Sequence, residues 1–188
     1  MTQTTTVRNG IDVDQLLATI EAVKADPAVG TFTFRAASRW EEGTRNGGEI
    51  GRFVHAGQED DSRDAPFRLT GDEPPILLGH NAGANAVELL LQGLGFCYAV
   101  GYAANAAAQG IEITSMQYEV EGDLDVRSFL GLGGPRAGFT EIRANARVSS
   151  SNATQEQLAG LCQYVQDTSP VRDCLANSIP VTTTLEVV

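Results

Sequence analysis

The sequence is poor in basic residues. It has 13 Lys and Arg against 24 Asp and Glu, which gives a formal net charge of −11 at pH 7 and a pI near 4.5. Nucleic acids and anionic membranes repel a chain of this charge, so the sequence predicts neither as a partner. The net charge favours solubility and carries no information about the fold.

Cysteine and histidine are also scarce. The three cysteines include no CxxC pair, which is typical of a reducing compartment rather than of a secreted disulfide framework. Because the first residues are polar and show no secretory signal pattern, we expect a cytoplasmic protein. Neither His55 nor His80 lies at ligand spacing from a cysteine, so no metal site is expected. No GxGxxG or GxxxxGK[ST] motif occurs, and no nucleotide or other cofactor is predicted.

A long uncharged segment dominates what remains. No charged residue lies between Leu89 and Ile111, and residues 85–109 are rich enough in Leu and Ala to form one helix that is apolar nearly all round. We expect this helix to be buried, since a chain of 188 residues is long enough for one domain with a sizeable core.

Cys97 lies near the middle of this predicted helix. At 100° per residue it shares a face with Gly93, Gly101 and Asn105, so a partner can come close to its sulfur. Two simpler interpretations stay open. The segment is long enough to cross a membrane, although its glycines and amides make a poor lipid-facing surface. Cys97 can also be a small hydrophobic residue of the core.

Other helices are predicted on both sides of the long segment. Residues 11–25 carry apolar side chains at helical spacing, which predicts one amphipathic helix within an N-terminal extension of residues 1–30. A second amphipathic helix is predicted over 154–167. Ser169 followed by Pro170 then predicts the N-cap and first position of a short last helix.

The predicted strands surround the long helix. Residues 31–40 and 50–54 are typical of a hairpin with Arg45 at its tip, and further strands are predicted at 67–70, 111–125, 139–150 and 180–188. Runs of strands followed by helices predict an α+β fold over residues 31–188, in which antiparallel sheets wrap around the buried central helix. So apolar a helix needs more cover than one small sheet supplies. We therefore expect a homodimer in which a second copy completes the burial.

Several motifs occur in a specific order and spacing. They are GTRNGG in the hairpin, PPILLG, the N-x-V-E-L-L-L run that leads to Cys97, AANAAAQGI, GDLDVRSFLGL and SPVRDCLANSIPVTTTLEV. Together they resemble the OsmC/Ohr family of thiol-dependent hydroperoxide reductases, in its OsmC-like branch. The resemblance covers residues 34–188 and implies an intertwined homodimer around a buried central helix, with a pocket made by both subunits.

The resemblance also implies a chemistry. Cys97 matches the peroxidatic cysteine, whose thiolate attacks the peroxide oxygen and becomes a sulfenic acid before a second thiol and an external dithiol reset it. Arg45 matches the arginine that holds the thiolate and polarises the peroxide. A cation is needed there because a buried thiol is otherwise inert. Arg45 as a solvated hairpin charge, and Arg35 or Arg39 in its place, stay open as alternatives.

Two positions depart from the family's peroxidase pattern. The position of the second cysteine holds Ser169, which cannot form a disulfide, so Cys174 becomes a possible resolving cysteine and Cys162 a weaker candidate. The glutamate that pairs with the arginine is replaced by Val87. The neighbouring Glu88 is expected to act as a favourable negative charge in the first turn of the helix.

These observations predict a peroxidase that reduces organic hydroperoxides through Cys97, with Arg45 as activator and an external thiol as reductant. Glu88, His80 and Ser169 are possible pocket residues. The alternative is a non-catalytic protein of the same fold that binds a small apolar or thiol-reactive ligand at the dimer interface.

Overall fold

The computed structural model describes residues 5–188 and divides into two units. The first unit consists of residues 5–6 and 12–91, and the second of residues 7–11 and 92–188. Helices occur together with antiparallel strands, so the predicted α+β class is confirmed.

The first unit combines one helix with two small antiparallel sheets. The helix is α1 (Val13–Ala25), which follows in the chain the short hairpin of β1 (Val7–Arg8) and β2 (Ile11–Asp12), whose residues 7–11 belong to the second unit. Six strands come after it: β3 (Phe32–Thr33), β4 (Ala37–Glu42), β5 (Arg45–Ile50), β6 (Phe53–His55), β7 (Gln58–Asp60) and β8 (Phe67–Gly71). One sheet has the order β3-β6-β7 and the other β4-β5-β8. Single turns of 3-10 helix lie at Pro27–Gly30 and Pro75–Leu77.

The second unit is built on the central helix. Helix α2 (Ala86–Ala108) begins in the first unit, and most of it lies in the second. It is followed by the antiparallel pair β9 (Ile113–Asp123) and β10 (Glu141–Ser150), and then by α3 (Gln155–Thr168) and α4 (Pro170–Ala176). Gly110 takes a positive φ of 77° just after α2, which lets the chain turn into β9.

One face of α2 forms the core of the second unit. Leu94, Tyr98, Tyr102 and Ala106 follow one another at four-residue spacing and are at most 7% exposed. They pack in one cluster with residues that include Leu161 and Val165 of α3. The helix is also long and apolar enough to cross a membrane by length and composition, a test that the core helix of a soluble protein passes as well.

Most of the predicted elements are confirmed. The amphipathic helices, the long central helix and the two long strands after Gly110 all lie within a few residues of their expected bounds. A hairpin with Arg45 beside its turn is present, but its second strand is β5 rather than the predicted 50–54, and β6 pairs with β3 instead. The central helix was expected to be buried, but in the single chain only one face is, since Phe96 and Val100 are 65% and 69% exposed. The buried stripe runs through Leu94, Tyr98 and Tyr102 because large side chains bury more apolar surface than the small residues of the Cys97 face.

Three local predictions were wrong. The first predicted strand is broken at residues 34–36 into β3 and β4, and β7 lies within a polar stretch that was predicted as a loop. The predicted last strand over 180–188 is absent, and residues 177–188 carry no regular secondary structure. A strand needs a neighbour for its backbone hydrogen bonds, and no other part of the described chain pairs with this segment.

Candidate functional site

Cys97 lies in the middle of α2 with a half-buried, free thiol. Its sulfur is 3.1 Å from the hydroxyl oxygen of Ser169. Ser169 lies at the junction of α3 and α4 and is 5% exposed. The structure therefore brings the predicted attacking cysteine together with the serine that stands at the position of the second cysteine.

The approach of α3 to α2 depends on the absence of a side chain at Gly101. A Cβ built there would lie 3.0 Å from Cγ1 of Val165, which is 1% exposed. Gly101 follows Cys97 by four residues, and Ser169 follows Val165 by four. The pairs Gly101–Val165 and Cys97–Ser169 are thus successive contacts of one helix packing, which explains why the sulfur and the hydroxyl meet.

Ser169 also caps α4. Its hydroxyl oxygen accepts a hydrogen bond from the backbone N–H of Arg172 at 3.2 Å, and Pro170 occupies the first helical position, as the sequence predicts. The hydroxyl thus has two neighbours, a backbone donor and a sulfur.

The other two cysteines have different surroundings. Cys162 lies on α3 against the core of the second unit, and the side-chain amide nitrogen of Gln166 is 3.4 Å from its sulfur. Cys174 lies on α4 and is exposed. Both are free thiols, so a resolving role for Cys174 or Cys162 stays a prediction.

Buried tyrosines line the core beside the thiols. Burial raises the pKa of Tyr98, which follows Cys97 directly, above its ordinary value. Burial likewise raises the pKa of Tyr102 and that of Tyr118. These phenols stay protonated at neutral pH and add no negative charge beside the thiols.

Arg45 and His80 line one cavity of the first unit, with a volume of about 450 Å³. Arg45 is the first residue of β5, directly after the turn that closes the β4–β5 hairpin, so its predicted place at the tip is confirmed. Its Nε lies 2.9 Å from the carboxylate of Glu41 on β4. His80 is exposed in the loop before α2, and Leu78 lines the same cavity with a positive φ of 68°.

Asp72 fixes the two walls of this cavity to each other. It is 4% exposed, and its carboxylate accepts hydrogen bonds from the hydroxyl of Thr44 at 2.7 Å and from the backbone N–H groups of His80 at 2.9 Å and Ala82 at 3.0 Å. These bonds, led by that from Thr44, hold the pKa of Asp72 well below its ordinary value. The turn beside Arg45 and the loop that carries His80 are thus joined through one carboxylate.

Glu88 serves the start of α2. Its carboxylate accepts the backbone N–H of Asn85 at 2.9 Å, and the side-chain oxygen of Asn85 accepts the backbone N–H of Glu88 at 2.9 Å. This reciprocal pair is a capping box, and it places the negative charge in the first helical turn as predicted. The carboxylate that pairs with Arg45 is Glu41 instead.

The two alternative arginines and the other histidine also lie in the first unit. Arg35 donates to the carboxylate of Glu59 at 2.6 Å, and Arg39 is exposed on β4. The ring of His55 donates to the carbonyl oxygen of Val29 at 2.8 Å and stacks on Phe32. Across residues 5–188, no group of three or more His, Cys, Asp or Glu side chains is arranged to hold a metal ion.

Two residues at these sites were missed by the sequence analysis. Glu41 precedes the hairpin turn, and only the strand register shows that it reaches Arg45. Asp72 lies in a Gly-Asp-Glu-Pro-Pro stretch, and an Asp before prolines is a signal for a side chain that accepts backbone N–H bonds in a turn. That signal could have found Asp72.

The fold and the site define an α+β protein centred on a helix that carries a cysteine. The family model described as OsmC-like protein matches residues 79–184, which is more than half of the chain. The chain therefore belongs to the OsmC-like protein family, as its motifs indicate.

Solved structures agree with this fold. An OsmC-like protein from Mycoplasma pneumoniae is 19% identical with a TM-score of 0.57, covering 77% of this chain and 87% of its own. An organic hydroperoxide resistance protein OsmC from Legionella pneumophila is 16% identical with a TM-score of 0.51, covering 76% and 88%. An OsmC-like protein of unknown function from Vibrio cholerae is 12% identical with a TM-score of 0.56, covering 74% and 91%. A search of curated proteins found no match.

Proposed function

We propose that this protein is a thiol-dependent peroxidase that reduces organic hydroperoxides in the cytoplasm through Cys97. The observation that carries the proposal is the free, half-buried thiol of Cys97 on the central helix, within the region that matches the family. Membership of the OsmC-like family supports a redox role in peroxide defence. The description of the Legionella pneumophila structure as an organic hydroperoxide resistance protein supports this class of substrate.

The first step is a two-electron oxidation of the thiolate. The Cys97 thiolate attacks one oxygen of the peroxide bond, an S–O bond forms and the O–O bond breaks. The alkoxide leaves, takes a proton from solvent and departs as the alcohol. The hydroperoxide is reduced to an alcohol, and Cys97 becomes a sulfenic acid.

Arg45 is the proposed activator. A guanidinium offers several N–H donors in a fixed geometry, which suits both a thiolate and the polarised peroxide bond. Its present partner is Glu41, and both side chains are partly exposed, with 49% and 37% of the surface accessible. An exposed pair of this kind is weak, so it leaves the guanidinium free to bind an incoming anion or peroxide.

An external thiol completes the cycle. The sulfenic acid condenses with the first external thiol to give a mixed disulfide and water, and a second thiol then releases reduced Cys97. Ser169 stands where the family's peroxidase pattern has its second cysteine, so this chain has no thiol there to close an internal disulfide.

The active form is a homodimer. A single chain leaves large apolar side chains of α2 exposed, with Phe96 at 65% and Val100 at 69%. Single exposed apolar residues are ordinary, but these two lie one helical turn apart on a helix that carries no charge over this length. A second copy that covers this surface would complete the burial of the central helix.

Consumption of cumene hydroperoxide with dithiothreitol as reductant tests the proposal. We expect the wild-type protein to turn over and Cys97→Ser to lose all protein-dependent consumption. The matched controls Cys162→Ser and Cys174→Ser should keep it, because the reductant is external. Wild-type protein that consumes peroxide no faster than Cys97→Ser would overturn the proposal, and turnover lost in Cys174→Ser would assign that residue as the resolving thiol.

A further inference from the structure

We infer that the hydroxyl of Ser169 donates a hydrogen bond to the sulfur of Cys97 and favours its reactive thiolate form. This inference deepens the proposed function and rests on it, since it assigns a second group to the same reacting sulfur. It gives Ser169 a role that a helix cap alone does not require.

The direction of the hydrogen bond follows from the hydroxyl's other partner. The oxygen of Ser169 already accepts the backbone N–H of Arg172, which uses one of its lone pairs and leaves its single O–H free to donate. The sulfur of Cys97 lies 3.1 Å away. Once Cys97 has lost its proton, the sulfur can only accept, so the hydroxyl must be the donor.

The bond is worth more to the thiolate than to the thiol. A hydrogen bond to a charged acceptor is roughly twice as strong as one between neutral groups, and a bond that favours the charged form of an acid promotes its ionisation. Ser169 is 5% exposed, so water competes little for its hydroxyl. The buried hydroxyl therefore offers Cys97 a fixed donor from the second unit itself.

Charged and titratable groups on the neighbouring helices do not take the place of the Ser169 hydroxyl. From α4, Arg172 contributes a positive charge that acts on Tyr98, and its guanidinium donates to the carbonyl of Gln166 at 3.4 Å. From α3 and α2, Cys162 and Cys97 also act on Tyr98, which follows Cys97 directly in the chain. Of these groups, Ser169 is the one in hydrogen-bond contact with the sulfur of Cys97.

The rate of Cys97 alkylation by iodoacetamide, measured against pH by mass spectrometry of the Cys97 peptide, tests the inference. Ser169→Ala should move the midpoint of the pH profile upward by about half a unit to one unit and slow alkylation at neutral pH by about three- to tenfold. Ser169→Thr keeps the hydroxyl and should keep the wild-type profile. The midpoint of the pH profile is the chosen readout. A smaller side chain at position 169 also changes the access of iodoacetamide to Cys97, but access changes the limiting alkylation rate at high pH and leaves the midpoint where it is.

Two further variants separate the hydroxyl from the cap. Ser169→Gly removes the hydroxyl while glycine remains a tolerated N-cap, so it should show the same shift even if the alanine variant folds poorly. Thr154→Ala removes the N-cap of α3 and should lower the melting temperature without moving the profile.

An unchanged profile in Ser169→Ala and Ser169→Gly would overturn the inference. Because no peroxide is used, that result is independent of the proposed function, which fails instead if wild-type Cys97 does not react with hydroperoxide. A protein with the shift but without peroxide reduction would keep the inference about the thiolate and lose the proposed reaction.

Discussion

At the scale of single residues, the proposed chemistry depends on what surrounds the sulfur of Cys97. Ser169 lies within hydrogen-bond distance of Cys97, while Arg45 belongs to the hairpin of the first unit and Cys97 to the second. In our proposal the Cys97 thiolate has two hydrogen-bond donors. The Ser169 hydroxyl comes from the same unit, and the Arg45 guanidinium is the second.

Replacing Ser169 by cysteine should restore an internal disulfide. The side chains of residues 97 and 169 already meet, so the introduced thiol would lie beside the sulfenic acid. After one equivalent of cumene hydroperoxide, intact mass should show Ser169→Cys short of two hydrogens, with water as the other product. A sulfenic acid that persists in Ser169→Cys would show that the side chains of residues 97 and 169 do not meet.

Replacing Arg45 by alanine should slow the oxidation of Cys97 by about tenfold or more, because the thiolate and the peroxide lose a charged donor. The rate is measured by stopped-flow mixing with hydroperoxide and chemical quench. Arg35→Ala is the matched control, since Arg35 lies in the same unit and is paired with Glu59. Equal rates in wild type and Arg45→Ala would show that Arg45 is a solvated charge of the hairpin with no part in the reaction.

At the scale of elements, the site depends on the packing of α3 on α2. Val165 is closely packed against Gly101, and the next contact along the two helices joins Ser169 to Cys97. The position of the hydroxyl is therefore set by a glycine one turn away from the sulfur.

Gly101→Ala should lower the free energy of unfolding by about 1–3 kcal/mol, because the new Cβ would press on a stiff, β-branched side chain in the core. Urea unfolding measures the change. Gly160→Ala is the control on α3, where a Cβ meets nothing within 4 Å, and it should add about 0.5–1 kcal/mol through helix propensity. A gain of stability at both positions would show that the helices are not closely packed at Gly101.

Asp72→Asn should weaken the fold of the first unit and change its pH dependence. Folding lowers the pKa of Asp72, so its stabilising contribution is complete above the ordinary value of 3.8 and is lost as the pH falls through and below it. At neutral pH the variant should melt several degrees lower than wild type, because the amide replaces one accepting oxygen by an NH2 group. One carboxylate oxygen accepts the N–H bonds of His80 and Ala82 and the other accepts from Thr44 and the N–H of Glu73, so one of these pairs must lose its acceptor.

The pH series supplies the check on that explanation. The difference in melting temperature between wild type and Asp72→Asn should shrink on acidification from about pH 5 to pH 3, while Asp61→Asn, an exposed carboxylate of the same unit, should follow wild type throughout. A difference that stays constant with pH would mean that the charge of Asp72 contributes nothing.

The elements were easier to predict from the sequence than the contacts at the site. The apolar run of α2 and the Ser-Pro start of α4 carry local signals, because caps and periodicity are properties of neighbouring residues. The contact between Cys97 and Ser169 joins residues 72 positions apart, and no pattern along the chain reports it. The segment 180–188 was predicted as a strand because its residues favour strands, but in the single chain no neighbouring strand pairs with it.

At the scale of the whole molecule, the single chain leaves apolar surface without a partner. Phe96 and Val100 are exposed on α2, and Val181, Leu185 and Val187 alternate along the C-terminal segment with more than 80% of each accessible. A homodimer accounts for both features if the second copy covers the helix and pairs with the segment, which would then become the strand that the sequence predicts.

Phe96→Glu should convert the proposed dimer to a monomer, because a carboxylate cannot be buried there without a partner. Sizing with light scattering at micromolar protein is the measurement. Phe96→Leu keeps an apolar side chain and should remain dimeric. Wild-type protein that is monomeric under these conditions would contradict the proposed assembly.

The proposed reaction of Cys97 with a hydroperoxide is the central step of the proposed function. The direct measurement is intact mass after mixing reduced protein with a slight excess of cumene hydroperoxide, with and without a sulfenic-acid trap, for wild type and Cys97→Ser. We expect the trap adduct to form rapidly on wild type and not on Cys97→Ser. No change in the wild-type mass within minutes would contradict the peroxidase function and leave a member of the OsmC-like family whose fold serves to bind a ligand.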